Sequence, residues 1–224
     1  IDFIIFSEWD FEGDLPANVR IVNMDLQAFQ KLADKKLQMK TALEPGPYKF
    51  CDLRPAFGVI FDEYIQHHNF WGHGDIDVIF GDIGSFVNEE LLENYDVISV
   101  RHDYLSSWFT LYRNDEYCNN MFRQSRDYHI VFTTPRYFNF DEANLAFGDF
   151  SDGKPYSLIE SEVESMTHVV KKMDDRRQIR AYFNLHAIEG RTGQIKWANG
   201  KLLFKNEYEI VLYHLLELKK VYHP

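Results

Sequence analysis

The sequence predicts an α/β fold, and three stretches near its start carry that prediction. Residues 1–6 and 19–24 are short apolar runs of the kind found in buried strands, and the polar residues 7–18 between them are predicted to be a loop. Asp25 can cap the helix that follows. The apolar residues of that helix recur on one face: Leu26, Phe29, Leu32, Ala33 and Leu37. Two strands followed by a helix are typical of the α/β class.

The rest of the chain alternates between helical and strand-like patterns and then becomes rich in β-formers. Helices are predicted over residues 52–68, 86–95, 115–126 and 156–172. Strands are predicted over residues 69–80, 96–101, 108–113, 130–132, 179–185, 194–197 and 202–204. Asn199-Gly200 is a strong hairpin signal between the last two. We predict a single domain over residues 1–224, with a larger part over 1–150 and a smaller part, containing this hairpin, over 151–224.

Composition narrows the functional classes. With 24 basic and 35 acidic residues, the net charge of −11 argues against a nucleic-acid-binding protein. No apolar run has the length of a membrane span. Cys51 and Cys118 have no metal-binding spacing, and we expect a reducing, cytoplasmic compartment. The chain starts at Ile1 inside an apolar run, so we expect that its first element or elements precede this numbering.

The stretch around Asp75 and Asp77 carries the chemistry. Side chains two residues apart in an extended backbone point to the same face, so the two carboxylates would project together. Adjacent carboxylates repel unless a cation lies between them, and carboxylate oxygens suit Mg²⁺ and Mn²⁺. The alternative is a strand end whose two Asp side chains face water, because so short a motif often occurs by chance.

Asp52 and Arg54 are predicted at the first turn of the helix over residues 52–68, where Pro55 is tolerated. A helix N-terminus attracts phosphate groups. The alternative for this pair is a capping aspartate and a surface arginine.

The segment over residues 47–58 followed by Trp71-Gly72 and the Asp75-Ile76-Asp77 motif resembles bacterial GT-A glycosyltransferases of capsule and lipopolysaccharide synthesis. The nearest resemblance is to a poorly characterised family with the pattern PYK-CD-KPA-G followed by FWG-CDIDVIFG. This chain departs from it by Arg54 in place of Lys and by His73-Gly74 in place of Tyr-Cys. Weaker matches continue to Tyr213-His214.

The resemblance implies a GT-A-like, Rossmann-type mixed sheet flanked by helices, with residues 1–150 as the nucleotide-sugar-binding core. It implies Mn²⁺ or Mg²⁺ as the cofactor and a UDP-sugar as the donor. The implied metal site is Asp75, Asp77 and His214, with Asp75 also facing the donor. For His214 an alternative of equal weight is a structural histidine in an apolar strand, with its ring nitrogens hydrogen-bonded and no metal bound. Lys49, Asp52 and Arg54 are implied donor contacts.

Asp141 or Glu142 is the implied general base, at the start of an acceptor-side helix, if the reaction inverts configuration. The alternative is a pair of carboxylates stabilised by that helix's dipole. The implied reaction transfers a hexose, which we take to be galactose, to a hydroxyl of a growing surface polysaccharide. The acceptor would be lipid-linked at the inner face of the plasma membrane, with at most peripheral contact through Lys219 and Lys220.

Two other functions stay open on the sequence. A nucleotidyltransferase also holds Mg²⁺ with carboxylates, although the glycine-rich phosphate loop expected near its first strand is missing from this sequence. A non-catalytic sugar-binding or metal-binding module would need neither a metal-held donor nor a base.

Overall fold

The structure is a computed structural model that describes residues 1–43, 47–183, 187–189 and 193–222. It confirms the α/β class, since helices and strands alternate and the sheets are mixed. Among the described residues, no helix is long and apolar enough to cross a membrane.

The strands of the described residues form four small sheets. Their bounds are β1 (Phe3–Ser7), β2 (Val19–Asn23), β3 (Phe70–Gly74), β4 (Val78–Phe80), β5 (Val97–Ser99), β6 (Phe109–Arg113), β7 (Ala181–Phe183), β8 (Ala187–Glu189), β9 (Ile195–Ala198), β10 (Lys201–Phe204), β11 (Tyr208–Ile210) and β12 (Leu212–His214). The strand orders are β1-β2, β3-β6-β5-β7, β4-β12-β8 and β11-β10-β9. Because β7 pairs with β5 and β12 with β4, the predicted larger and smaller parts share sheets.

The helices are short apart from two. Their bounds are α1 (Leu26–Leu37), α2 (Pro47–Cys51), α3 (Phe57–Ile60), α4 (Asp62–Ile65), α5 (Ile83–Phe86), α6 (Glu89–Asn94), α7 (Glu116–Asn119), α8 (Tyr128–Thr133), α9 (Phe147–Ser151), α10 (Met166–Asp175) and α11 (Leu216–Tyr222). Three further turns are 3₁₀-helical: Arg54–Ala56, Met121–Gln124 and Tyr156–Leu158.

The largest hydrophobic cluster lies between α1, the helical turns over residues 53–61 and α10. Phe29, Ala33 and Leu37 of α1 are buried in it, as the helical spacing predicts. The Asp25 carboxylate accepts from the Ala28 amide, which confirms the predicted cap. Leu26, the first residue of the helix, is 47% exposed, so this one residue of the predicted apolar face does not join the core.

The C-terminal hairpin also follows the prediction. β9 and β10 pair antiparallel with Ala198 opposite Lys201. Asn199 and Gly200 connect them with φ values of 54° and 77°. These left-handed conformations suit asparagine and glycine, which explains why this dipeptide makes so tight a turn.

Several predicted elements are wrong in type or extent. Residues 130–132, predicted as a strand, lie in helix α8, because a short apolar run does not distinguish the two. The helix predicted over residues 52–68 is a series of short helical turns that begins earlier, at Pro47. The helix predicted over residues 156–172 is instead two separate elements, a 3₁₀ turn and helix α10. The sequence Glu44-Pro45-Gly46-Pro47 also predicts an interruption of regular structure, but residues 44–46 lie outside the described residues.

The predicted strand over residues 69–80 divides into β3 and β4, which belong to different sheets. β3 approaches β6 so closely that a Cβ at Gly72 would lie 2.6 Å from the Thr110 carbonyl oxygen. At Gly74 it would lie 2.7 Å from that of Trp108. Glycine is therefore required at both positions, and the chain leaves the first sheet directly after Gly74. The Asp75-Ile76-Asp77 motif is the connection between two sheets.

Candidate metal and transfer site

Backbone hydrogen bonds hold the connection between β3 and β4 at both of its ends. The Asp75 amide donates to the Trp108 carbonyl at 3.2 Å, and the Asp77 carbonyl accepts from the Leu215 amide at 2.9 Å. Ile76 between them is 87% exposed. The connection therefore turns its apolar residue outward while both carboxylates point to one side.

Strand β12 brings His214 to these carboxylates, because its antiparallel register with β4 sets His214 opposite Val78. His214 Nε2 lies 3.2 Å from Asp77 Oδ2 and 3.8 Å from Asp75 Oδ2. One ligand atom from each of the three residues falls within a mutual distance of 4.8 Å. The structure thus brings together the three residues assigned to the metal site.

The imidazole is held on two further sides. Its ring stacks on Trp108, with centroids 5.0 Å apart, and Nδ1 lies 3.1 Å from Glu189 Oε1. Burial opposes protonation, but the hydrogen bond to Glu189 and the charge of Asp77 raise the pKa of His214 overall. A carboxylate behind the ring fixes its orientation and leaves Nε2 facing Asp75 and Asp77.

Two carboxylates and one imidazole fit a divalent cation such as Mn²⁺ or Mg²⁺. A cationic group of the protein already lies at these carboxylates: the Lys219 ammonium of α11 is 2.6 Å from Asp77 Oδ2. Burial opposes ionisation of Asp77, but the hydrogen bond from Lys219 and the charge of His214 lower its pKa. Asp77 therefore stays ionised and attracts positive charge.

Arg54 connects Asp75, the other carboxylate of the motif, to the protein interior. Its guanidinium lies 2.6 Å from Asp75 Oδ1 and donates to the Ser107 carbonyl at 3.1 Å. It also lies 3.6 Å from Asp141 Oδ2. Burial works against the charge, but Asp141, Cys51 and Asp75 raise the pKa of Arg54, so it remains cationic.

Asp141 and Glu142 lie in a turn, not at the start of a helix, because α9 begins only at Phe147. The expectation that they open a helix is wrong. The alternative, that a helix dipole stabilises the two carboxylates, is wrong for the same reason. Both carboxylates of Asp141 and Glu142 are buried. Glu142 accepts from the Ser107 amide at 2.9 Å and from Asn139 Nδ2 at 2.7 Å.

Asp141 differs from Glu142 because neither of its oxygens has a hydrogen-bond partner among the described residues. Burial, followed by the charge of Glu142, raises the pKa of Asp141 well above its usual range. Buried carboxylates are usually hydrogen-bonded, so a free one beside Arg54 is a candidate for chemistry.

Lys49 and Asp52 form a buried ion pair with 3.0 Å between Nζ and Oδ2. The Asp52 carboxylate accepts from the Phe138 and Phe140 amides at 2.9 and 2.8 Å, while Lys49 donates to the Val131 carbonyl. Asp52 therefore does not cap a helix. The pair is 1% and 0% exposed and holds the segment that leads to Asp141. In this arrangement neither side chain offers surface to a donor.

A family model, described as a family of unknown function (DUF6625), matches residues 1–222. The chain belongs to this family. No curated protein and no solved structure matches it. The site described above is therefore a candidate site of a DUF6625 protein, built from β3, β4, β12 and the segment after α8.

Sequence reasoning missed three neighbours of the metal residues in this DUF6625 chain. Glu189 and Ser107 stand in stretches without a motif. Lys219 was considered only for membrane contact. Its position five residues after His214 was the one available signal, since β12 leads directly into α11.

Proposed function

We propose that this chain is a metal-dependent glycosyltransferase of GT-A-like fold. It would transfer a hexose, with galactose as our choice, from a UDP-sugar to a hydroxyl of a bacterial surface polysaccharide. The observation that supports this most is the convergence of Asp75 and Asp77, from the connection between β3 and β4, with His214 of β12. Such a site suits a reaction in which the leaving group is a diphosphate.

Asp75, Asp77 and His214 would hold the divalent cation, which when bound neutralises the charge of the leaving nucleoside diphosphate. Lys219 is placed to add a second positive charge. Its ammonium is half-exposed, so the flexible side chain is free to leave Asp77 for a phosphate oxygen. Arg54 keeps Asp75 oriented through its 2.6 Å contact.

Asp141 is our choice as the general base of an inverting transfer, because Glu142 has both oxygens engaged. In its ionised form, a carboxylate whose pKa is raised is a stronger base than one of ordinary pKa, so Asp141 would act as the base once it has lost its proton. Asp141 is 1% exposed, so the proposal requires the turn over residues 140–145 to open when the acceptor binds. The reaction would take place in the cytoplasm, at the inner face of the plasma membrane.

The test is the melting temperature of the wild type with UDP in the presence of Mn²⁺ or of EDTA. A ligand of the folded state raises the melting temperature. We expect UDP to stabilise the protein only with Mn²⁺, and Asp77→Asn to remove the effect. Asp82→Asn is the matched control, because Asp82 caps α5 through Ser85 and lies outside the cluster.

Release of UDP from UDP-galactose on addition of a glycan acceptor would then support transfer. Pyrophosphate release from a nucleoside triphosphate would support the nucleotidyltransferase alternative. Metal-dependent stabilisation by UDP with neither product would favour a binding module. An equal shift in the wild type and Asp77→Asn would contradict the proposed metal site.

A further inference from the structure

Apart from the candidate metal site, a cavity of about 500 Å³ lies beside the loop that follows β5. Asp103 of that loop, Ser151 of α9, Lys171 of α10 and Phe183 of β7 line it. Its volume falls in the range of small-molecule sites, roughly 300–1,000 Å³. None of the three metal-site residues lines it.

Lys171, which lines this cavity, has a ring as its neighbour and no carboxylate partner among the described residues. Its ammonium lies 4.4 Å from the centroid of the Phe183 ring. Burial lowers its pKa, against the charges of Asp103, Asp174 and Asp175. Within the described part of the chain, no carboxylate is at ion-pair distance from Lys171, and it donates no hydrogen bond. An ammonium left in this state favours a ligand that brings its own acceptor oxygen.

The carboxylates around Lys171 are occupied by other groups. Asp103 accepts from Arg101 at 2.8 and 2.5 Å and from Ser151 at 2.7 Å, which holds its pKa at about 2 although burial opposes this. Asp174 accepts from the Ala181 amide at 3.0 Å. These bonds explain why, among the described residues, no carboxylate pairs with Lys171, and they hold the wall of the cavity in place.

The lining as a whole suits a neutral sugar. Hydroxyl groups both donate and accept, so they can use the Lys171 ammonium together with the remaining lone pairs of Asp174 and Asp175. Phe183 lines the cavity beside the Lys171 ammonium and offers apolar ring surface for the C–H side of a pyranose. An acidic sugar is disfavoured, because Asp174 and Asp175 also line the cavity and would repel it.

Successive contacts connect this cavity to the metal centre. Asp103 is paired with Arg101, whose guanidinium lies 5.8 Å from the centroid of Trp108. Trp108 in turn stacks on His214. The loop after β5 also carries Ser107, which contacts Arg54 and Glu142. One loop therefore lines the cavity and supports the candidate transfer site.

From this placement we infer that the cavity is the acceptor subsite and takes a neutral pyranose unit of the acceptor glycan, with Lys171 donating to a hydroxyl and Phe183 packing against the ring. The inference rests on the proposed function, since it assigns the second substrate of that same reaction.

The test uses saturation-transfer NMR with methyl glycosides of neutral hexoses and N-acetylhexosamines at millimolar concentration. Methyl glucuronide and galacturonide are the acidic comparison. We expect Lys171→Met, which removes a charged hydrogen bond, and Phe183→Ala, which removes the apolar contact with the sugar ring, each to weaken binding of a neutral glycoside about tenfold. Lys31→Met, on the exposed side of α1, is the control and should bind as the wild type does.

Absence of binding by every neutral glycoside would overturn the inference, as would unchanged binding in Lys171→Met and Phe183→Ala. Preference for the acidic glycosides would overturn the assigned chemistry. Stabilisation by UDP with Mn²⁺ is measured on the same samples and should persist in both variants. If sugar binding depends on Lys171 while UDP never binds, the proposed transferase fails and the cavity is a sugar site without a donor.

Discussion

The Lys219 ammonium and His214 Nε2 lie on the same oxygen of Asp77, at 2.6 and 3.2 Å. These two groups partly offset the negative charge of the Asp77 carboxylate without a bound metal ion. Lys219 is half-exposed, on the first helical turns after β12, and can move away without disturbing the core. It therefore competes with a cation for Asp77.

We expect Lys219→Met to bind Mn²⁺ alone more tightly, by about three- to tenfold, since removing a neighbouring positive charge favours a cation. The same variant should bind UDP in the presence of Mn²⁺ less tightly, because a positive charge near the phosphates is lost. Titration of free Mn²⁺ by EPR, followed by UDP calorimetry, measures both. Weaker binding of Mn²⁺ alone would contradict the competition. Lys40→Met is the control, because it removes an exposed lysine that is not part of the metal site.

Arg54→Lys tests whether the guanidinium is needed for its geometry. One ammonium cannot reach Asp75, Asp141 and the Ser107 carbonyl together, so we expect a loss of about 1–3 kcal/mol in unfolding free energy and at least about tenfold in transfer. Arg136→Lys is the control, since its pair with Glu162 is exposed and should change stability by less than about 0.5 kcal/mol. Denaturant unfolding measures the change in unfolding free energy.

A double variant examines the same contact from the other side. Arg54→Met alone leaves the buried carboxylate of Asp141 without a cation, whereas Arg54→Met with Asp141→Leu removes both charges. We expect the double variant to be the more stable of the two. With Asp141→Leu measured as well, additive losses in the two single variants and the double variant would mean that Arg54 and Asp141 do not interact.

Lys49→Met tests whether Lys49 supports the fold or binds the nucleotide-sugar donor directly. The variant leaves the Asp52 carboxylate buried without its ammonium, so we expect a loss of about 3–5 kcal/mol in unfolding free energy. The affinity of the folded protein for UDP with Mn²⁺ should change by less than about threefold. A tenfold loss of UDP affinity with little loss of stability would instead make Lys49 a direct donor contact.

The sequence predicted the parts of this molecule that depend on local patterns. Helix α1 with its Asp25 cap and the Asn199-Gly200 hairpin follow from spacing and turn chemistry within a few residues. Asp75 and Asp77 point to one side as the alternation of an extended backbone predicts, although the strand breaks at the motif. An apolar run on both sides of a motif does not reveal that its halves join different sheets.

Other parts of the site depend on contacts between distant segments. His214 reaches Asp77 only through the register of β12 with β4, and Glu189 reaches His214 through the parallel pairing of β8 with β12. Asp52 and Arg54 were placed at a helix start, but the helical turns begin at Pro47, so their side chains turn inward. No short-range pattern encodes these pairings.

Asp141 gives a pH dependence whose sign distinguishes it from an ordinary surface carboxylate. Burial raises its pKa in the folded state, so the native protein favours the protonated form, and stability falls as the pH rises from about 4 through that raised pKa. The groups around it that carry charge or titrate are Glu142, Arg54, Asp52, Asp75, Tyr112, Tyr137 and Cys51.

Asp141→Asn cannot ionise, so its stability relative to the wild type should increase with pH and reach about 1–3 kcal/mol near pH 8. Transfer should fall by about 10²–10⁴-fold, the usual contribution of a general base. Asp82→Asn should differ, because hydrogen bonds from Ser85 lower the pKa of Asp82, so the wild type already has that stability above about pH 4 and the difference between the two should be nearly constant from pH 4 to pH 8. Urea unfolding from pH 4 to pH 8 measures both trends. A stability difference for Asp141→Asn that does not vary with pH would mean that Asp141 does not titrate as a buried carboxyl group, and full activity in that variant would exclude it as the base.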